Sequence, residues 1–217
     1  MDDRLLASII VVGIMLLIGF PVHEFSHALA AYRLGDGTAK LFGRLTLNPV
    51  AHFDPLGGIL LAVSFIGAGF GFGWAKPTPV NPNNLAGGRF GEAMVAAAGP
   101  ISNLILAIIV ALPLRYILAD PNLFAAVPDL VLTIMSLFVF INLVLMIFNL
   151  LPIPPLDGSK VLFAFLSPQQ SYRWRPLLEQ YGFILILILF FFPPGGSIGF
   201  RIIGPILETL FSLLVGR

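Results

Sequence analysis

The chain has 217 residues, of which 58% are hydrophobic and only 11% charged, with a net charge of +1. That composition excludes most soluble classes, and the lack of a basic face or Lys/Arg block excludes a nucleic-acid binder. Cysteine is absent, which removes disulfides, thiolate nucleophiles and Cys-held metals, so any metal ion falls to His, Asp, Glu or water.

Charge-free runs at Leu5–Val22, Ile101–Leu114 and Val131–Leu151 have the apolarity of bilayer spans, for which about 20 residues cross roughly 30 Å of hydrocarbon. The first run is too long for the apolar core of a signal peptide, and it continues without a polar break through Pro21 to Arg33. One helix is predicted from Leu5 to about Leu34, kinked at Pro21 and capped by Gly35. Residues 36–89 are rich in Gly and Pro. Within them Thr38–Asn48 alternates loosely, as a strand or hairpin does. The apolar but Gly-interrupted Leu56–Phe72 is read as re-entrant, and Gly73–Pro82 as an extended edge strand. Membrane helices follow at about Phe90–Leu118 and Leu130–Leu150, with an ambiguous region from Leu177 through Tyr181–Phe192 and Pro193-Pro194-Gly195-Gly196 to a final run ending at Val215.

The expected fold is therefore an α-helical integral membrane protein. It has about five to six membrane helices, with a short membrane-associated β-sheet or re-entrant segment between the first two core helices. It forms one polytopic domain over 1–217, with a core at about 5–166 and C-terminal helices at about 177–217. Arg33, Lys40, Arg44, Lys76, Arg89, Lys160, Arg173 and Arg175 place 35–89 and 151–176 in the cytoplasm by the positive-inside rule. Trp74 and Tyr32 are read as interfacial anchors, and the many Phe of the C-terminal third as lipid-facing or packing residues.

His23-Glu24-Phe25-Ser26-His27 has the spacing H-E-x-x-H. Residues four apart on a helix lie about 40° apart around its axis, so the two imidazoles face one point and can share a cation, with Glu24 beside them to take a proton from water. Ionisable groups inside a membrane are costly, and three within five residues need a common partner. A catalytic zinc usually has three protein ligands. Asp36, His52, Asp54, Glu92 and Asp157 are candidates for the third, and Asp157 stands out because it follows a membrane helix ending on the side of His27. The plainer reading of Asp157 is a turn-forming Asp-Gly, and that of Asn149 is a helix-end residue bonding to backbone. His52 can steady an oxyanion, move a proton, act as an alternative ligand or simply bond to backbone.

Five segments occur together and in order: the His23–His27 helix, Asn48–Gly57, Gly73–Asn81, Ala98–Asn103, and Asn149 through Asp157-Gly158. In this the chain resembles the intramembrane site-2 protease family of zinc metalloproteases, as a minimal member without PDZ or cystathionine-β-synthase domains. The resemblance implies one Zn2+ held by His23, His27 and Asp157, with Glu24 as base. It also implies Asn149 near the scissile peptide, and Lys76, Pro77, Thr78, Pro79 and Val80 as an edge strand that pairs with unwound substrate. The implied partners are a transmembrane substrate and the lipid bilayer, in the plasma membrane of a prokaryote. The alternative functions are a small metal transporter and a non-catalytic binder of membrane substrates.

Overall fold

The structure, a computed structural model, describes residues 3–60, 73, 75–192 and 198–216. The first apolar run is helical throughout, as α1 (Asp3–Ile14), one π-helical turn (Met15–Gly19) and α2 (Phe20–Arg33). The predicted kink at Pro21 takes the form of that turn. Proline has no N–H to continue the ladder, and just before it the Phe20 N–H reaches back five residues to the Met15 carbonyl. At the other end Gly35 has φ +103°. The Gly35 N–H bonds to Tyr32 O and the Asp36 N–H to Ala31 O, the paired closure of a Schellman C-cap.

Beyond it lie α3 (Thr38–Leu41), α4 (Pro49–His52), a helical turn at 55–60 and a 3-10 turn at Pro82–Asn84. The hairpin expected over Thr38–Asn48 is thus replaced by a short helix and turns. The cause is Asp36, whose Oδ1 accepts from both the N–H and the hydroxyl of Thr38 and so starts a helical turn. Among the described residues there is no β-strand, so the expected β-sheet is not found. Most of Leu56–Phe72, along with Trp74, lies outside the described residues.

The rest is α5 (Arg89–Ala119), α6 (Pro121–Ala126), α7 (Asp129–Asn149), α8 (Asp157–Phe165), α9 (Pro168–Phe191) and α10 (Ile198–Val215). Four helices among the described residues are long and apolar enough to cross a membrane: Leu5–Arg33, α5, α7 and α10. The expectation was five to six. The shortfall lies in α9, whose first half carries Arg173, Arg175 and Glu179 and so gives it an apolar stretch too short to qualify.

The main core joins α5, α7, α9 and α10 through Ala107, Leu114, Leu143, Ile186 and Leu207. A second, of Val11, Met15 and Phe138, fixes the first helix against α7. Small residues set the approach of α2 to α5: Ala28, Ala31 and Ala96 are fully buried, the composition that lets membrane helices come close.

Asp36 clasps the irregular region to the end of α2. It is fully buried, and besides Thr38 it accepts from the Asn81 N–H at 2.7 Å and the Asn84 amide at 3.1 Å. Burial acts to raise its pKa, but the bonds from Thr38, Asn81 and Asn84 outweigh that and hold the carboxyl below its ordinary range. A carboxyl depressed in the folded state contributes stability that is complete above the unfolded value of about 4 and is lost as pH falls through the folded value. The thermal midpoint in detergent, followed from pH 7 to pH 3, should therefore drop less steeply in Asp36→Asn than in the parent protein. Equal slopes would remove Asp36 from this role.

Candidate metal centre

His23 and His27 project from one face of α2, both more than nine-tenths buried, with their Nε2 atoms 3.1 Å apart. Asp157, the first residue of α8, brings Oδ2 to 3.4 Å from His23 Nε2 and 3.2 Å from His27 Nε2. Gly158 permits that approach: a Cβ there would stand 2.5 Å from Leu151 O and closer still to Leu150 O. The start of α8 can thus sit against the end of α7 only without a side chain at this position. Lys160 Nζ lies 3.8 Å from Asp157 Oδ1, the other carboxylate oxygen.

The outer nitrogens of the two rings are committed. His27 Nδ1 lies 2.7 Å from the Val95 carbonyl. A carbonyl can only accept, so this nitrogen carries the proton and the neutral ring keeps a lone pair on Nε2. His23 Nδ1 lies 2.6 Å from Asn103 Oδ1, and donation there leaves the same lone pair. Imidazoles oriented in this way are a usual feature of metal sites.

Two neutral imidazoles and a carboxylate thus aim three lone pairs at one point. A shared proton or a cation must balance them. A proton on the His23 or His27 ring, donated to Asp157, holds its carboxyl below the usual range despite burial, and a cation that takes that proton's place meets the ionised form that binds metal. Space is reserved as well, because a Cβ on Gly99 would stand 2.6 Å from His23 Nε2 and nearer to His27 Nε2. Two imidazoles and one carboxylate, with donor atoms within 4.8 Å of one another, fit zinc.

Glu24, half-buried, is not one of the three converging donors. Its Oε2 accepts from the Thr78 N–H and lies within reach of the Thr78 hydroxyl, both at 2.8 Å; the hydroxyl is also 3.0 Å from the Glu24 carbonyl. Thr78 therefore turns inward to the Glu24 carboxylate and offers no free edge N–H. Lys76 donates its N–H to the His52 carbonyl at 2.8 Å, and Pro77 and Pro79 have none to offer. Val80 packs against the small core of Ala31, Leu85 and Val95. The segment lies against the site as expected, but as irregular backbone and not as a strand.

The remaining candidates for the third ligand serve elsewhere. Asp36 forms the clasp described above. Asp54 accepts from the Gly57 N–H at 2.9 Å, and Glu92 pairs with Arg175 at 3.1 Å. His52 donates from Nε2 to the Thr46 carbonyl at 2.7 Å. Its buried Nδ1 has no hydrogen-bond partner among the described residues, and His52 lines a small cavity together with Leu16, Phe20, Pro21 and Asp54. It is no member of the metal-binding group. Asn149 donates its amide to the Leu145 carbonyl of its own helix at 2.9 Å, the plainer of its two readings. Tyr32 is exposed beside Lys40, whose Nζ is 4.8 Å from the ring centre. Asn142 and Val95 carried no functional signal that sequence reasoning used, and Gly99 and Asn103 stood in a motif without a role.

Fold and site together define a multi-pass helical membrane protein with a buried group of two histidines and one carboxylate that could hold a metal ion. The sequence pattern of peptidase family M50 matches residues 118–189, a stretch that contains Asn142, Asn149 and Asp157. Over 186 residues the chain is 42% identical to a protein of Bacillus subtilis (strain 168) named "Putative zinc metalloprotease YwhC", covering 85% of this chain and 82% of that one. The same descriptor precedes the name Rip2 in proteins of Mycolicibacterium smegmatis, 31% identical, and Mycobacterium tuberculosis (strain ATCC 25618 / H37Rv), 33% identical; each match covers 82% of this chain and 65% of the relative. No solved structure matches significantly. The chain belongs to peptidase family M50, a family of zinc metalloproteases.

Gly99→Ala puts a methyl group against the Nε2 atoms of both His23 and His27. Metal analysis of the purified protein should show zinc falling from one ion per chain to well below one, with the thermal midpoint of the metal-free protein little changed. Full zinc occupancy would show that the ion sits elsewhere.

Proposed function

We propose that this chain is an intramembrane zinc endopeptidase that hydrolyses peptide bonds within or near the transmembrane segments of other membrane proteins. His23, His27 and Asp157 hold the ion and Glu24 acts as base. The observation that carries the reading is the convergence of three deprotonated donors from α2 and α8 beside a carboxylate that is not one of them. Zinc bound there supplies Lewis acidity, polarising the scissile carbonyl and acidifying water.

The protein's own groups supply the rest. Because Thr78 donates to Glu24 Oε2, Oε1 is left to accept a proton from water and pass it to the departing amine. The hydroxyl of Thr78 can donate to only one acceptor at a time, while its N–H holds Oε2 in either case, so the carboxylate keeps its orientation through the proton transfer. The segment Lys76–Val80 is the natural place for substrate to lie, since it is partly exposed and tied to the base through Thr78. The Lys76 and Thr78 N–H groups are spent, so an unwound substrate meets it through side-chain contacts, carbonyl acceptors and the Val80 N–H. His52 and Asn149 have no part in proton transfer in this scheme.

The cationic residues around 35–89 and 151–176 favour a cytoplasmic opening of the site, in the plasma membrane of a prokaryote, with residues 1–217 forming one protease domain.

Glu24→Gln should bind zinc stoichiometrically and lose cleavage of a model transmembrane substrate in detergent or proteoliposomes. Asp157→Asn should lose zinc along with activity, and retained zinc would transfer the ligand role to another residue. Thr78→Val keeps the N–H and the shape but drops the hydroxyl. Its kcat should fall about tenfold, the worth of roughly one hydrogen bond to a charged group, at unchanged zinc content and KM, and Thr78→Ser should restore it. A KM effect without a kcat effect would make Thr78 a substrate contact instead of a holder of the base.

A further inference from the structure

Behind His23 a line of polar side chains crosses three helices. His23 Nδ1 meets Asn103 Oδ1 at 2.6 Å, and Asn103 Nδ2 donates to Asn142 Oδ1 at 3.0 Å. Asn142 Nδ2 donates to the Phe138 carbonyl at 2.9 Å and lies 3.4 Å from the Met15 sulfur. Both asparagines are fully buried, although each sits on a helix long and apolar enough to span the membrane. Burying two amides there is costly unless they are bonded. Packing alone does not call for an amide, since an apolar side chain of the same branched shape would bury itself there at no such cost.

The direction of every bond in the line follows from its far end. A main-chain carbonyl and a thioether can only accept, so Asn142 must turn Nδ2 toward Phe138 and Met15, and Oδ1 toward Asn103. Asn103 must then present Nδ2 to Asn142 and its oxygen to His23. An oxygen can only accept, so His23 must carry its proton on Nδ1 and leave Nε2 bare toward the metal position. The turn Met15–Gly19 adds to this end of the line: a Cβ on Gly19 would collide with the Met15 side chain, so glycine is what lets that side chain fold back to Asn142. Were Asn103 reversed, two amide oxygens would face each other at hydrogen-bond distance, and the His23 proton would move to Nε2, where the ion needs a lone pair.

We propose that Asn142 is a positioning residue for the metal centre. Through Asn103 it fixes the proton of His23 on Nδ1, two side chains away from the ion and without touching it. The inference rests on the metal-site reading above and extends it to a residue on a third helix. His27 needs no such device, because the Val95 carbonyl sets its proton directly.

The test is made on the full chain in detergent with two variants. Asn142→Ser keeps a hydroxyl that can bond to the Phe138 carbonyl four residues back, so the helix loses nothing locally, but it is too short to reach Asn103. Asn142→Leu fills the volume and removes all polarity. In metal-free protein labelled with 15N-histidine, only three imidazoles contribute, and the His23 signals are identified by their loss in His23→Gln. The native protein should keep the His23 Nδ1 proton, whether or not Nε2 also shares a proton with His27 and Asp157, and both variants should show a population with Nδ1 bare. Zinc affinity, measured by competition with a chelator, should weaken about tenfold in both, at the lower end of what partners behind metal ligands are worth. Native elution and thermal midpoint in Asn142→Ser separate this from misfolding.

A variant that is folded and still holds the proton on Nδ1, or binds zinc with native affinity, overturns the relay. A native protein that binds no zinc overturns the site assignment instead, while the tautomer spectra of the metal-free protein judge the relay independently.

Discussion

Three lone pairs that point at one another cannot stay uncompensated inside a membrane. His23 Nε2, His27 Nε2 and Asp157 Oδ2 lie 3.1–3.4 Å apart, and the hydrogen bonds on the far side of each ring keep its proton away from that centre. Removing ionisable groups from water costs several kcal/mol apiece unless they are paired, so the arrangement exists to be completed by a cation. Most of what surrounds it follows from the same demand. Gly99 keeps the volume open, Gly158 lets the carboxylate arrive, and the Val95 carbonyl, displayed by α5 close to α2, holds His27.

The site joins a rigid part and a looser one. Helices α2, α5 and α7 carry the rings and the amides behind them, with the bonds from His23 to Asn103 and from Asn103 to Asn142 made between packed helices. The segment Lys76–Asn84 is attached from outside, through Thr78 to Glu24 and through Asp36 to Asn81 and Asn84. The proposed base, Glu24, is thus shared between a helix that places it and an irregular strip that orients its carboxylate. In that proposal a substrate lying along the strip would touch the same backbone that holds Glu24, linking binding to base geometry.

The division of labour suits hydrolysis in a medium hostile to charge. In the proposed reading the groups that would hold the ion have their protons directed in advance by the bonds behind them, the preorganised condition under which electrostatic stabilisation is most effective. Glu24 stays half-buried and off the ligand set, free to exchange a proton. Buried asparagines are neutral in either orientation, so they can direct a histidine proton without adding charge to the membrane interior.

Much of this was legible along the chain. Four-residue spacing put His23 and His27 on one face, unbroken apolar runs marked α1–α2, α5 and α7, and Gly35 marked the end of α2, because each depends on a local period or a single backbone torsion. The Pro21 disturbance was also local, although its form as a π turn ahead of the proline was not. The choice of Asp157 over Asp36, His52, Asp54 and Glu92 was left open by spacing and came from family resemblance. Only the packed helices show the other four engaged elsewhere. The inward turn of Thr78, the helical turn at Thr38 in place of a hairpin, and the Asn142–Asn103–His23 line were decided by tertiary structure. Each depends on how one helix is rotated against another or which distant carboxylate a loop meets, and residues 39 or 54 apart in sequence carry no periodic trace of facing each other.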